Sequence, residues 1–232
     1  MMNNQRPNPY IMFDSLRPLG FTAGITIKGT WKDQDDIYHF IGRDLIPGDM
    51  RLIIPKQIHG VDLIAIDDKI DDYQFEADGV ITCRRDICLS VTTADCLPVV
   101  LADSKTGYFA AVHIGWRSFV GGIVENIFQQ ADQLNMDLGS TQVYIGPGID
   151  DCCFEVGPDV AMLFDEQYVR NRNDKQYVAL RKAVGNKFKE LGIGNIKGLD
   201  ECTYCRSERY YSYRRDKETP LQMVTFIFKA DE

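Results

Sequence analysis

The chain of 232 residues predicts a layered α/β domain with a mixed central sheet and flanking helices. Three observations carry this reading. Residues 91–117, VTTADCLPVVLADSKTGYFAAVHIGWR, contain near-continuous apolar runs with only partial period-2 alternation, the pattern of strands buried on both faces. Val120, Ile123, Ile127, Ala131 and Leu134 recur at helical spacing, and Leu180, Val184, Phe188 and Leu191 repeat the pattern. No internal repeat, low-complexity linker or compositional break divides the chain, so residues 1–232 are expected to form one domain. A hydrophobic content of 44% is ample for its core.

The elements follow in order. Residues 1–9 are polar and read as a frayed tail, and IMFDSL as a first strand. LGFTAGITIKGT is Gly-rich but lacks both GxGxxG and the Lys-Ser/Thr ending of a phosphate loop. Trp31 to Tyr38 reads as an irregular polar connection. Arg51 to Pro55 and VDLIAI are strands on either side of KQIHG, and the acidic DDKIDDYQFEAD is a solvated loop. Strands at Gly79 to Thr82 and Ile87 to Thr92 lead into Pro98 to Ala102, a turn at Ser104 to Gly107, and Tyr108 to His113. A helix capped by Ser118 follows at once, then a strand at Thr141 to Ile145. Helices are predicted over Val160 to Tyr168 and Val178 to Leu191, and LQMVTFIFK closes the chain as a buried strand.

The formal charge of −8 disfavours nonspecific binding to nucleic acid or to an anionic membrane. MMNNQRPNPY has no apolar segment of the secretory kind, and no run reaches transmembrane length. A cytoplasmic protein with reduced thiols is expected, and seven cysteines are an odd number that cannot all pair within one chain.

His59, Cys96 and His113 form a credible metal triad. Their separations exceed those of a zinc finger but suit the ends of separate strands. Zinc accepts thiolate and imidazole, and three protein ligands leave a fourth position for water. Copper accepts the same donors. In a competing reading Cys96 is the nucleophile of a Cys-His hydrolase with His59 or His113 as base. Arg117, four residues past His113 at a helix start, suits bidentate binding of phosphate or tethers the strand to the helix. Asp95 either orients a histidine or ties down its turn, and Glu155 is an acid, a base or a cap. Arg43, Lys56 and His39 read as surface groups. CTYC and the Cys152–Cys153 pair read as packing thiols rather than a second metal site, as do Cys83 and Cys88. RYYSYRR reads as the wall of a ligand cleft.

KQIHG, TTADCLPVVLAD, AVHIGWRS, IGPGI with CFEVG, and CT followed by YYSYRRD closely resemble the YfiH/PgeF-like family, also called the multicopper polyphenol oxidoreductase or laccase-domain family. The resemblance spans nearly the whole chain. It implies a layered α/β fold and a metal pocket at His59, Cys96 and His113. It further implies a zinc-dependent enzyme acting on purine nucleosides and phosphate, with adenosine deamination and methylthioadenosine phosphorolysis as associated activities. Arg117 would then place phosphate. Alternatives are a peptidoglycan-precursor editing amidase, a copper-dependent polyphenol oxidoreductase, and a non-enzymatic metal-binding module. Only three histidines occur, too few for an ordinary multicopper laccase. HIGWRS departs from the family's usual HAGWRG at Ile114 and Ser118, and Pro220 and Leu221 stand in place of a late Gly-Arg.

Overall fold

A computed structural model describes residues 8–48, 50–66, 75–217 and 221–230. The start of the expected tail, most of the acidic loop and Pro220 lie outside the described residues.

The first half of the chain supplies β1 (Tyr10–Met12), β2 (Phe21–Thr26), α1 (Gln34–Phe40), β3 (Arg51–Ile53) and β4 (Leu63–Ala65). It continues through β5 (Gly79–Thr82), β6 (Ile87–Thr93), β7 (Leu97–Asp103), β8 (Phe109–Ile114), α2 (Trp116–Val120) and α3 (Ile123–Gln133). Next come β9 (Thr141–Ile145), β10 (Glu155–Val156), α4 (Pro158–Ala161), β11 (Val169–Arg172) and β12 (Lys175–Val178). The chain ends with α5 (Leu180–Glu190), β13 (Asn195–Gly198), α6 (Tyr213–Asp216) and β14 (Met223–Lys229).

These strands make two large mixed sheets. One has the order β1-β2-β14-β6-β3, the other β13-β9-β7-β8-β5-β4, and β10-β12-β11 form a small third sheet. The expected mixed sheet is thus doubled, which explains the lost alternation. Val100 and Ala102 of β7 face Leu89, Val91 and Ile227 of the other sheet, whereas Leu97, Val99 and Leu101 face α3 and α5. Helix α1 covers the outer face of the β1-containing sheet through Ile37, which packs with Phe226 and Phe228. The layers run helix, sheet, sheet, helices. Each fully buried Val or Leu in them contributes roughly 1.5–3 kcal/mol. No helix among the described residues is long and apolar enough to cross a membrane.

Four expectations need correction. Trp31 to Tyr38 is not irregular: Asp33 accepts a bond from the Asp36 amide at 2.9 Å and caps α1, whose single buried face made the segment look merely polar. The helix after Arg117 does not run unbroken. Gly122 sits at φ 95° and splits it into α2 and α3, and the cap position of α2 belongs to Gly115, so Ser118 is a buried helix residue. Val160 to Tyr168 holds only the end of α4 and a 3-10 turn at Glu166–Tyr168. It is followed by the β11–β12 hairpin, whose two-residue turn places Asn173 and Asp174 at φ 49° and 59°. Asn and Asp tolerate that left-handed pair, so the turn signal was present in the sequence.

Candidate active site

Four chain segments meet at one end of the β8-containing sheet. His113 is the penultimate residue of β8, which pairs with β7 through Pro98↔His113 and with β5 through Gly79↔Val112. That register sets Cys96, just before β7, and Asp78, just before β5, on either side of His113. His59 arrives from the segment between β3 and β4. The donor atoms of His59, Cys96 and His113 lie within 4.8 Å of one another. The two imidazole rings meet edge to face, with centroids 4.8 Å apart.

Asp78 organises this convergence. Its carboxylate is fully buried and accepts His113 Nδ1 at 2.7 Å, the His59 amide at 3.0 Å, the Gly60 amide at 2.6 Å and the Ile58 amide at 3.2 Å. One side chain therefore holds the His59 loop and sets the His113 tautomer, leaving Nε2 for the pocket side. This is the carboxylate–histidine arrangement found behind metal ligands. The reading of this stretch as a solvated acidic loop is wrong for Asp78. The signal lay in its place directly before the apolar strand GVIT, where a carboxylate enters the sheet.

Backbone strain collects at the same place. His59 has φ 58° and Asp95 has φ 96°, a region that costs a non-glycine residue of order 1–3 kcal/mol. Gly115 leaves the opposite wall bare. A Cβ there would stand 3.1 Å from Cys96 Sγ and 3.3 Å from His59 Cδ2.

The electrostatics agree with the geometry. Burial pushes the Cys96 thiol up, but hydrogen bonds and charge from His113 and His59 outweigh it and bring the thiol down to about 7. Burial pulls His113 down, but Asp78 and Cys96 outweigh it and raise the imidazole to about 9. Burial also opposes ionisation of Asp78, yet His113 and the loop amides hold it below the usual carboxylate range. A thiolate and two imidazoles held around one point, with the second nitrogen of one imidazole fixed by a buried carboxylate, fit a metal ion.

The trio opens onto a pocket of about 630 Å³, within the range of small-molecule sites. Arg117 lines it from α2, exposed, with its guanidinium 4.5 Å from the Trp116 ring. No carboxylate among the described residues pairs with Arg117, so the strand-to-helix salt bridge is not formed. Tyr213 and Arg214 line the pocket too, as expected for the RYYSYRR wall, together with Ile149 and Phe154. Their roles were not legible residue by residue.

Other expected groups lie elsewhere. Asp95 orients no histidine. It accepts Thr203 Oγ1 at 2.6 Å, Ser212 Oγ at 3.0 Å and the Arg214 amide at 2.7 Å, tying the CTYC turn and the start of α6 to the turn before Cys96. Glu155 pairs with Lys175 at 2.9 Å outside the pocket. Arg43 and Lys56 pair with Asp44 and Glu76, and His39 binds the Asp35 carbonyl on the surface. Cys88 is a packed thiol as expected, but Cys83 is exposed.

A family model described as multi-copper polyphenol oxidoreductase laccase matches residues 42–230. A purine nucleoside phosphorylase of Clostridium acetobutylicum is 32% identical over 179 residues, 75% of each chain. The adenosine deaminase RL5 of an unknown prokaryotic organism is 31% identical over 183 residues, 71% of this chain and 70% of that one. The crystal structure of Neisseria meningitidis protein NMB0706 superposes with a TM-score of 0.83 at 22% identity, covering 96% of this chain and all of the other, which establishes the shared fold.

Proposed function

The chain belongs to the YfiH/PgeF-like family, whose family model is described as multi-copper polyphenol oxidoreductase laccase, and from that premise we propose that it is a metal-dependent purine nucleoside phosphorylase. Its His59, Cys96 and His113 cluster is able to hold a metal ion. The observation that carries the proposal is that this cluster shares one pocket with Arg117, which no carboxylate pairs with among the described residues, and with Arg214, whose guanidinium donates to the Glu155 carbonyl at 2.8 Å. Relatives named purine nucleoside phosphorylase and adenosine deaminase support the substrate class. We assign His59, Cys96 and His113 as the metal ligands and Arg117 as the phosphate-binding residue, acting within one unit of residues 1–232.

Phosphorolysis joins a phosphate oxygen to C1′ of the ribose while the bond from C1′ to the purine nitrogen breaks, and the base leaves with a proton. The reaction involves no net oxidation or reduction, so a redox-inert ion such as zinc would suffice. When bound, the ion supplies Lewis-acid polarisation. The remaining work falls to the chain. Arg117 and Arg214 hold the dianion by charge-assisted hydrogen bonds and stabilise its charge as it attacks. Ile149, Phe154 and Tyr213 offer apolar surface to the purine and shield the pocket from water. Asp78 keeps the Nδ1 proton of His113 in place, so that imidazole presents one fixed face. Deamination of adenosine, in which water displaces ammonia from the purine ring, would use the same pocket.

The test is inosine conversion after zinc loading, with and without phosphate. Hypoxanthine and ribose 1-phosphate formed only with phosphate are expected. No phosphate-dependent product from any purine nucleoside would overturn the assignment. Ammonia release from adenosine tests deamination separately.

A copper-dependent polyphenol oxidoreductase is the second reading, favoured by the family description and by a thiolate–imidazole set that suits copper. The chain's three histidines, one of them the remote His39, count against several copper centres of the usual kind. Oxygen uptake with a catechol by the copper-loaded protein, and none by the zinc-loaded protein, would favour it. Release of L-serine from a muramyl-L-serine precursor would instead identify the editing amidase.

A further inference from the structure

The geometry points to a second metal site, a closed four-thiolate site for a zinc-class divalent cation, built by Cys152, Cys153, Cys202 and Cys205. Their four sulfur atoms lie within 4.8 Å of one another. Cys205 Sγ is 3.6 Å from Cys152 Sγ and 3.4 Å from Cys153 Sγ. Zinc–sulfur bonds of about 2.3 Å in a tetrahedron require sulfurs about 3.8 Å apart. Four sulfurs within 4.8 Å of one another, two pairs of them close to that spacing, need only small rotations to enclose an ion.

Packing does not explain the cluster. Cys152 and Cys205 are exposed, Cys153 is half-buried, and Cys202 alone is buried. Nor does the cluster belong to the pocket trio, with which it shares no residue. Two turns present the thiols in pairs. The Asp150 carbonyl accepts the amides of Cys153 at 2.8 Å and Phe154 at 2.7 Å, closing the first turn. The Arg206 amide bonds the Cys202 carbonyl at 3.0 Å, closing the CTYC turn. The two turns are joined before any ion arrives, because the Thr203 amide bonds the Gly148 carbonyl at 3.1 Å. Arg172 donates to the Cys152 carbonyl at 3.0 Å and places positive charge beside thiolates that would exceed the charge of the ion.

Four protein ligands leave no open position, so the site is structural. Its place gives it a task. Phe154, next to Cys153, lines the pocket, and Thr203, next to Cys202, donates to Asp95 beside Cys96. An ion here locks two pocket-forming loops together.

The test uses reduced full-length protein, stripped of metal and reloaded with Zn²⁺, in a Cys96→Ser background that removes a ligand of the pocket trio. One equivalent of zinc is expected in Cys96→Ser and none in Cys96→Ser/Cys205→Ser, whereas Cys96→Ser/Cys83→Ser keeps its ion. Co²⁺ added to Cys96→Ser should give the sulfur-to-cobalt charge-transfer absorption of a tetrahedral thiolate site, and chelator should lower its melting temperature. Should Cys205→Ser fail to fold, the exposed Cys152→Ser replaces it, and the cobalt spectrum of Cys96→Ser stands without either. Absence of bound zinc and of thiolate–cobalt absorption in folded, reduced Cys96→Ser overturns the site. So does a Cys152–Cys205 or Cys153–Cys205 disulfide that reforms in preference to zinc binding.

Discussion

Replacing Asp78 by Asn should separate the order of the site from the presence of its ligands. The carboxylate receives four donors, two on each oxygen: His113 Nδ1 and the His59 amide on Oδ1, the Gly60 and Ile58 amides on Oδ2. An asparagine has one acceptor oxygen and one donor NH₂, so it can serve one pair and must oppose the other. Two backbone amides, or one amide and the imidazole, then lose their partners in a buried site. At about 1–3 kcal/mol each, the expected loss is roughly 2–6 kcal/mol of stability. If the NH₂ faces His113, the imidazole is also driven to the wrong tautomer, and metal affinity should fall about 10–100-fold, the usual effect of removing such a supporting carboxylate. Asp103→Asn is the control. Asp103 is equally buried and accepts the Lys105 and Asp137 amides and the Ser140 hydroxyl at the far end of β7, so its loss should lower stability and leave the metal affinity intact. Melting temperature and competition against a zinc chelator read both quantities. Wild-type metal affinity in folded Asp78→Asn would refute the organising role given to Asp78.

Three further outcomes are expected. Gly115→Ala meets no backbone strain at φ −88°, yet its methyl would press on Cys96 Sγ and His59, so metal affinity should drop with little change in melting temperature. Unchanged affinity by chelator competition would contradict the crowding at this wall. Arg117→Ala removes a charge-assisted contact worth about 1.5–3 kcal/mol, so the KM for phosphate should rise about 10–100-fold while the KM for nucleoside moves little, as steady-state kinetics will read. In metal-free protein the Cys96 thiolate should be present above about pH 7 and His113 protonated below about pH 9. The depressed thiol contributes stability that is lost as pH falls through 7, and the raised imidazole contributes stability that is lost as pH rises through 9. Between about pH 7 and the ordinary thiol value of about 8.5 the folded state holds one extra proton on His113 and one fewer on Cys96, so stability should be nearly flat there and fall as pH rises further through 9. Iodoacetamide labelling of Cys96 followed by mass spectrometry should be half-maximal near pH 7, and a midpoint near the ordinary thiol value of about 8.5 would reject the ion pair.

The sequence by itself determined the class of the fold and singled out the three residues that meet at its candidate site. Near-continuous apolar runs at Pro98 to Ala102 and Tyr108 to His113 read as strands covered on both faces, and the thiol and imidazole side chains at their ends marked a candidate metal or catalytic site. Which acidic residue completes the site was decided by tertiary structure alone. Asp78 and Asp95 look alike in the chain, but β5 beside β8 turns Asp78 towards His113, while Thr203, Ser212 and Arg214 draw Asp95 away into a loop anchor. The four outer cysteines make the same point. Nearly fifty residues separate CC from CTYC, so no local pattern joins them, and the two turns meet through tertiary contacts such as the pairing of Gly148 with Cys202. Local spacing sets which face of an element a side chain occupies. Which carboxylate meets which histidine, and which thiols meet each other, depends on strand order and register, and these are set by the packing of the two sheets as a whole.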